Sequence, residues 1–187
     1  MSDERPYTRL SSRYLWQSRW YNVRQDQLRA AGGAEFTYTL IEKPGAVFIV
    51  PVTAGGQVVL INQYRYAVDD WCLEVPAGNI EPDTDPLAMA ARELREEIGG
   101  SAAQIVPVGE FYTMNGIGDE IALAFVALDV MLGEPEREWT EHITLQQVPV
   151  SEALSLAHAG RIKDGPSALA ILLSEPVLRA YFPERTL

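Results

Sequence analysis

Cysteine is almost absent: Cys72 is the only one in 187 residues, so no internal disulfide can form. It sits in the apolar run Trp71-Cys72-Leu73 and reads as a buried thiol rather than a nucleophile. There is no CxxC and no Cys/His zinc pattern, and the two histidines, His142 and His158, are not spaced as a metal pair. Positive charge is scarce too. Fifteen Lys and Arg against 26 Asp and Glu leave a net charge of −11 at pH 7. No basic patch offsets this, so neither nucleic acid nor an anionic membrane is an expected partner. No stretch approaches the length of a membrane span, and no N-terminal apolar run resembles a signal peptide, so the cytoplasm is the expected location. Internal repeats and low-complexity tracts are missing.

What is present suits a compact enzyme. A hydrophobic fraction of 47% and a charged fraction of 22% are ordinary for a globular chain, and the length fits one core with a small appendage. Residues 1–35 are polar, apart from Trp16, Trp20 and Tyr21, and suggest weak strands around 13–23 before a turn at Ala31-Gly32-Gly33. Thr37–Ile41 looks extended. Ala46–Val52 and Val58–Gln63 are β-branched runs either side of Ala54-Gly55-Gly56, a hairpin signal. Trp71–Val75, Ile105–Tyr112, Ile121–Val130 and Ile143–Val148 also read as strands. Ser151 is expected to cap a helix to His158, and Gly165-Pro166-Ser167 to open another to Leu173, with a short helix after Pro176. These elements give an α+β layered sandwich.

The most informative stretch is Gly78–Gly99. Asp85 followed by Pro86 reads as an N-cap and first helical residue, and Leu87, Ala91, Leu94 and Ile98 form an apolar stripe. Gly99 suits a left-handed C-cap. On that helix Glu93 and Glu97 sit about 40° apart, and Glu96 about 60° round from Glu93. Three carboxylates so placed repel one another. A divalent cation would offset the repulsion, since hard oxygens are the ligands Mg²⁺ takes. An Arg-Glu-x-x-Glu-Glu run alone more often marks a solvated helix face. Here it follows a tight Pro76-Ala77-Gly78 turn, with a glycine 14 positions before Arg92 and another closing the helix.

That combination resembles the Nudix box, Gly-x5-Glu-x7-Arg-Glu-U-x-Glu-Glu-x-Gly-U with U apolar. Gly78, Arg92, Glu93, Leu94, Glu96, Glu97 and Gly99 match. Two positions depart: Thr84 stands at the first glutamate and Gly100 at the last apolar position. Glu81, Asp83 and Asp85 are near enough to compensate for the charge lost at Thr84, and Gly100 is expected to give up some packing. Gln63-Tyr64-Arg65, Leu73–Gly78 and Gly160–Asp164 are similar to the ADP-ribose pyrophosphatase and ADP-sugar hydrolase group. The proline of that group's Ser-Pro-Gly loop is missing at Met114-Asn115-Gly116, which leaves other sugars such as GDP-mannose open, although Asp119-Glu120 fits.

The resemblance implies a Nudix-type α/β/α sandwich with a mixed sheet over residues 41–187. It also implies an N-terminal β subdomain over 1–40 that acts as the arm of a homodimer. It implies a Mg²⁺ enzyme, with Mn²⁺ as a substitute, that hydrolyses the pyrophosphate of a nucleoside diphosphate sugar such as ADP-ribose. The metal ligands are then Glu93, Glu96, Glu97 and the Ala77 carbonyl. Arg92 orients a glutamate, while Arg65, Glu74 and Glu120 face the substrate. The general base is expected on the late acidic loop, at Glu141 ahead of Glu138, with Glu120 as the other candidate. A nucleoside triphosphate pyrophosphohydrolase and a non-catalytic nucleotide-sugar sensor are the competing readings.

Overall fold

The computed structural model describes residues 5–137 and 142–182. The chain falls into two units, Met1–Pro44 with Tyr112–Ile121, and Gly45–Phe111 with Ala122–Leu187.

The first unit is an antiparallel sheet in the order β1 (Tyr7–Gln17), β2 (Asn22–Ala30), β3 (Glu35–Glu42). The weak strands expected around 13–23 are the end of β1 and the start of β2, joined by a turn. Ser18 ends the first: its Oγ accepts from the Trp20 and Tyr21 N–H groups and donates to the Tyr21 carbonyl. Side-chain bonding of this kind competes with the sheet ladder and overrides the β-preference of the aromatic pair. Strand β2 is polar and carries no strong alternation, so its extent to Ala30 comes from pairing on both sides. Strand β1 is exposed along its whole length. The segment 112–121 joins this unit through Ile41 N–H to Ile117 O (2.8 Å) and Tyr38 O–H to Gly116 O (2.6 Å). Asp26 is buried here beside Ser12 and Arg24, and Arg24 also pairs with Glu42.

In the second unit, strands β4 (Ala46–Val52), β5 (Gln57–Arg65), β6 (Asp70–Glu74) and β7 (Ala77–Asn79) lead into α1 (Pro86–Ile98). Short β8 (Gly100–Ser101), β9 (Gln104–Tyr112), β10 (Ile121–Leu128), short β11 (Met131–Leu132) and β12 (Ile143–Pro149) follow, then α2 (Val150–His158) and α3 (Gly165–Tyr181). The main sheet runs β12-β5-β4-β10-β9, with β6 on β5 and β7 on β4. It is mixed, because β10 lies parallel to β4 in register Ala122↔Ala46 through Leu128↔Val52. The β4–β5 hairpin forms where the glycines predict it, with Gly56 N–H on Thr53 O at 2.8 Å.

Period-two alternation builds three layers. Val47 and Ile49 of β4 face one way and pack with Met89, Ala90, Leu94 and Ile98 of α1. Val50 and Val52 face the other way and pack with Ala153 and Leu154 of α2 and Ala170, Ile171 and Leu178 of α3. Helix α1 is capped as its sequence predicts: Asp85 Oδ2 accepts from Ala88 N–H (3.3 Å), and Gly99 is left-handed at φ 64°. Gly99 also admits the neighbouring chain, because a Cβ there would overlap the Gly133 carbonyl.

Two helix expectations are corrected. Helix α2 begins at Val150, and no side chain caps it. Its N-cap position falls on Pro149, which puts Ser151 inside the first turn, while the Val150 N–H donates to Gly56 O (3.2 Å). Helix α3 runs unbroken through Pro176. Its buried stripe of Ala170, Ile171, Ser174 and Leu178 outweighs the bond that a mid-helix proline removes. Among the described residues no helix is long and apolar enough to cross a membrane.

Candidate active site

The site starts at the turn after β6. Ile49 N–H donates to Pro76 O (2.9 Å) and Ile80 N–H to Gly45 O (2.7 Å). Antiparallel alternation then turns the Ala77 N–H and carbonyl away from β4. The Ala77 N–H donates to Glu97 Oε2 at 3.3 Å. One residue on, a Cβ at Gly78 would overlap the Glu93 carboxylate, so the missing side chain is the space that Glu93 fills. Two carboxylates one helical turn apart therefore converge on the dipeptide Ala77-Gly78. Glu97 is 5% exposed, and the Glu93 side chain 12%. Burying acids this deeply is costly unless a cation or fixed donors meet them.

Glu96 points elsewhere. It lies 3.6 Å from Arg92 Nε and 3.7 Å from Arg95 Nη2. Arg92 lies 3.7 Å from Glu93 and makes its short bond, 2.9 Å, to Glu81. That hydrogen bond holds the Glu81 carboxyl below its ordinary range and raises the Arg92 guanidinium. Of the three acids near Thr84, Glu81 is thus the one that meets the box arginine, and Asp85 is spent as the helix cap. Thr84 Oγ1 reaches only the Pro82 carbonyl, at 3.5 Å. A loop residue eleven positions from its partner carries no periodic signal, so this pairing is legible only in three dimensions. Gly100 gives up little, since a Cβ there would lie 2.9 Å from Leu94 Cγ in a space already filled.

Arg65 and Glu74 face each other as a forked pair, Nε to Oε1 at 2.8 Å and Nη2 to Oε2 at 2.5 Å. Glu74 is 4% exposed. Its hydrogen bond, then the charges of Glu74, Glu97 and Asp164, raise the Arg65 guanidinium against the opposing effect of burial. Glu120 belongs to the first unit, where Lys43 Nζ (2.5 Å) and Thr113 Oγ1 (2.6 Å) engage its two oxygens. Glu141 and Glu138 lie outside the described residues. Burial, followed by the charges of Glu74 and Asp70, pushes the Cys72 thiol up, which leaves it a poor nucleophile. His142 and His158 are exposed.

The donor set fits a hard divalent cation. Glu93, Glu97 and the Ala77 carbonyl are all oxygens, and all are directed to one turn. Among the described residues no three Asp, Glu, His or Cys side chains gather into a metal cluster. The Ala77 carbonyl is a third oxygen that could serve beside Glu93 and Glu97, while Glu96 lies against two arginines.

A sequence model of the NUDIX domain matches residues 42–168. The chain belongs to the Nudix family. It is a Nudix hydrolase by the same match and by its relatives. It is 33% identical over 134 residues to the ADP-ribose pyrophosphatase of Bacillus subtilis (strain 168), covering 71% of this chain and 72% of that one. To the ADP-ribose pyrophosphatase of Mycobacterium tuberculosis (strain ATCC 25618 / H37Rv) it is 29% identical over 187 residues, covering 98% and 90%. A solved structure described as an ADP compounds hydrolase superposes with a TM-score of 0.84 at 21% identity, covering 97% of this chain and 98% of that one. At that identity the superposition establishes the Nudix fold, the expected three-layer α+β sandwich with a β-rich N-terminal unit.

Proposed function

We propose that this Nudix hydrolase cleaves the pyrophosphate of a nucleoside diphosphate sugar, with ADP-ribose, water, AMP and ribose 5-phosphate as its substrates and products. The observation that carries the reading is the convergence of Glu93 and Glu97 on Ala77-Gly78. The names of the two bacterial relatives support ADP-ribose as the substrate.

Glu93, Glu97 and the Ala77 carbonyl would hold Mg²⁺ or Mn²⁺, with Glu96 as a further ligand. A divalent ion bound there neutralises pyrophosphate oxygens and lowers the pKa of a coordinated water. Arg92 keeps Glu93 and Glu96 oriented while Glu81 holds its other side. Arg65, aligned by Glu74, offers a planar cation to phosphate. Glu120 completes the substrate contacts, and Glu141 takes the proton of the attacking water. The protein works as a cytoplasmic homodimer without nucleic-acid or membrane partners. Residues 1–40 form its arm, where Trp16, Trp20 and Tyr21 are 61%, 51% and 42% exposed, which suits burial in a second copy.

The test is a turnover screen with Mg²⁺ or Mn²⁺, offering ADP-ribose, other ADP-sugars, GDP-mannose and nucleoside triphosphates, with products identified by mass. Preferred release of AMP from ADP-ribose is the expected result. Preference for a triphosphate, or binding of nucleotide sugars without turnover, overturns it.

A further inference from the structure

The C-terminal end of α1 is fastened by one short segment. Of the last four helix carbonyls, Arg95 O accepts from Gly99 N–H (2.9 Å), Glu96 O from Glu136 N–H (2.9 Å), and Glu97 O from Arg137 Nε (2.7 Å). Just beyond the helix, Gly99 O accepts from Gly133 N–H (2.8 Å). The Arg137 guanidinium does more than cap, because its Nη1 also donates to Ile143 O (2.9 Å) at the start of β12. One planar cation thus joins the end of the helix to the edge strand of the main sheet.

We infer that Arg137 is a positioning residue for Glu97 and, through it, for the metal site; this rests on Glu97 being a metal ligand. Helix ends fray because their last carbonyls lack partners, and Glu97 is the penultimate residue of α1. A frayed last turn would swing the Glu97 carboxylate off the Ala77 N–H. A fixed cation at that end opposes fraying twice, by a charge-assisted hydrogen bond to the residue's own carbonyl and by matching the negative end of the helix dipole. A lysine would supply the second effect but not the fork that spans two carbonyls.

The test uses the full chain and four variants: Arg137→Gln, Arg137→Lys, Glu97→Gln and Leu154→Ala. The last removes a buried side chain from the opposite layer and reports what lost stability alone does. Mn²⁺ affinity is read by paramagnetic-resonance titration, beside Tm, kcat and KM. Arg137→Gln is expected to raise the Mn²⁺ Kd and the half-activating Mn²⁺ concentration at least tenfold and to lower kcat, with KM for the nucleotide sugar changing less than threefold. Arg137→Lys is expected to recover only part of the affinity, and Leu154→Ala to lower Tm with the Mn²⁺ Kd unchanged. An Arg137→Gln Kd within twofold of the parent, or a shift no larger than that of Leu154→Ala, overturns the inference. Full affinity in Arg137→Lys overturns the two-carbonyl fork. If Glu97→Gln itself binds Mn²⁺ normally, the metal assignment has failed; if Glu97→Gln loses the ion and Arg137→Gln does not, only the inference has.

Discussion

The molecule uses buried carboxylates in two ways. In the first unit, the buried Asp26 and Glu120 and the half-buried Glu42 meet cations from the same unit: Arg24 serves Asp26 and Glu42, and Lys43 serves Glu120. On α1, Glu93 and Glu97 are also little exposed but are drawn onto the backbone of Ala77-Gly78, with Arg92 at 3.7 Å from Glu93. The first arrangement is complete, because charge, hydrogen bonds and burial balance locally. The second brings two carboxylates together around a backbone turn, with Arg92 and the charge of Arg65 near them, a set of oxygens that a divalent cation would suit. Burial of an acid is therefore not a sign of function; what meets the acid decides.

The largest effect that separates the two regions is expected from Glu97→Gln, which should lower kcat by on the order of 10²–10³ while circular dichroism and Tm stay near the parent. Near-normal turnover would remove Glu97 from the metal site. Gly78→Ala comes next. Its methyl meets the movable end of Glu93 rather than backbone, so kcat should fall about 100-fold for a stability cost below about 1 kcal/mol, measured by urea melts. A loss of several kcal/mol would show that the turn itself, and not Glu93, is what the glycine protects.

Asp26→Asn should give the opposite pattern, a loss of about 2–3 kcal/mol in the same melts with the Mn²⁺ Kd unchanged. Burial works to raise the Asp26 carboxyl, but the Ser12 hydrogen bond and Arg24 outweigh it and hold it below its ordinary 3.8. The stability this contributes is present above 3.8 and disappears as pH falls from there through the lower native value. Melts repeated down that acid range should show the loss in the parent and a flatter profile in Asp26→Asn. The smallest effect belongs to Glu81→Gln. Its pair with Arg92 is largely exposed, so stability should change by less than about 1 kcal/mol and kcat only several-fold. Thr84→Glu should keep or raise activity, and a severe loss there would give the threonine a role of its own.

How much of this is legible in the chain depends on how local each cause is. The ends of helix α1 are local, since Asp85, Pro86 and Gly99 each act within a turn; its buried face is less so, because Leu94 and Ile98 of the expected stripe are buried together with Met89 and Ala90, while Leu87 and Ala91 are exposed. The core strands are nearly so, because β-branched runs bounded by glycine leave little choice. Strand β2 is different: its polar sequence becomes a strand only because β1 and β3 flank it. The continuity of α3 through Pro176 is a packing outcome that no window containing the proline would favour. In the site, Glu93 and Glu97 are given by spacing, but Glu81 meets Arg92, and Arg137 meets Glu97, across a fold rather than along a helix.

The parallel pairing of β4 with β10 has a consequence for the order in which the protein can assemble. The paired residues stand 76 positions apart, 46 with 122, and the whole segment that carries Glu93, Glu96 and Glu97 lies between them. Loop closure on that scale has to precede any gain from the pairing. During synthesis α1 therefore leaves the ribosome well before Phe125 and Ala127, part of the surface it packs on. The end of the helix that carries Glu93 and Glu97 is thus made about halfway through synthesis and waits for the second half of the chain to be held in place. Nascent chains stalled before residue 128 should carry the three glutamates without a site.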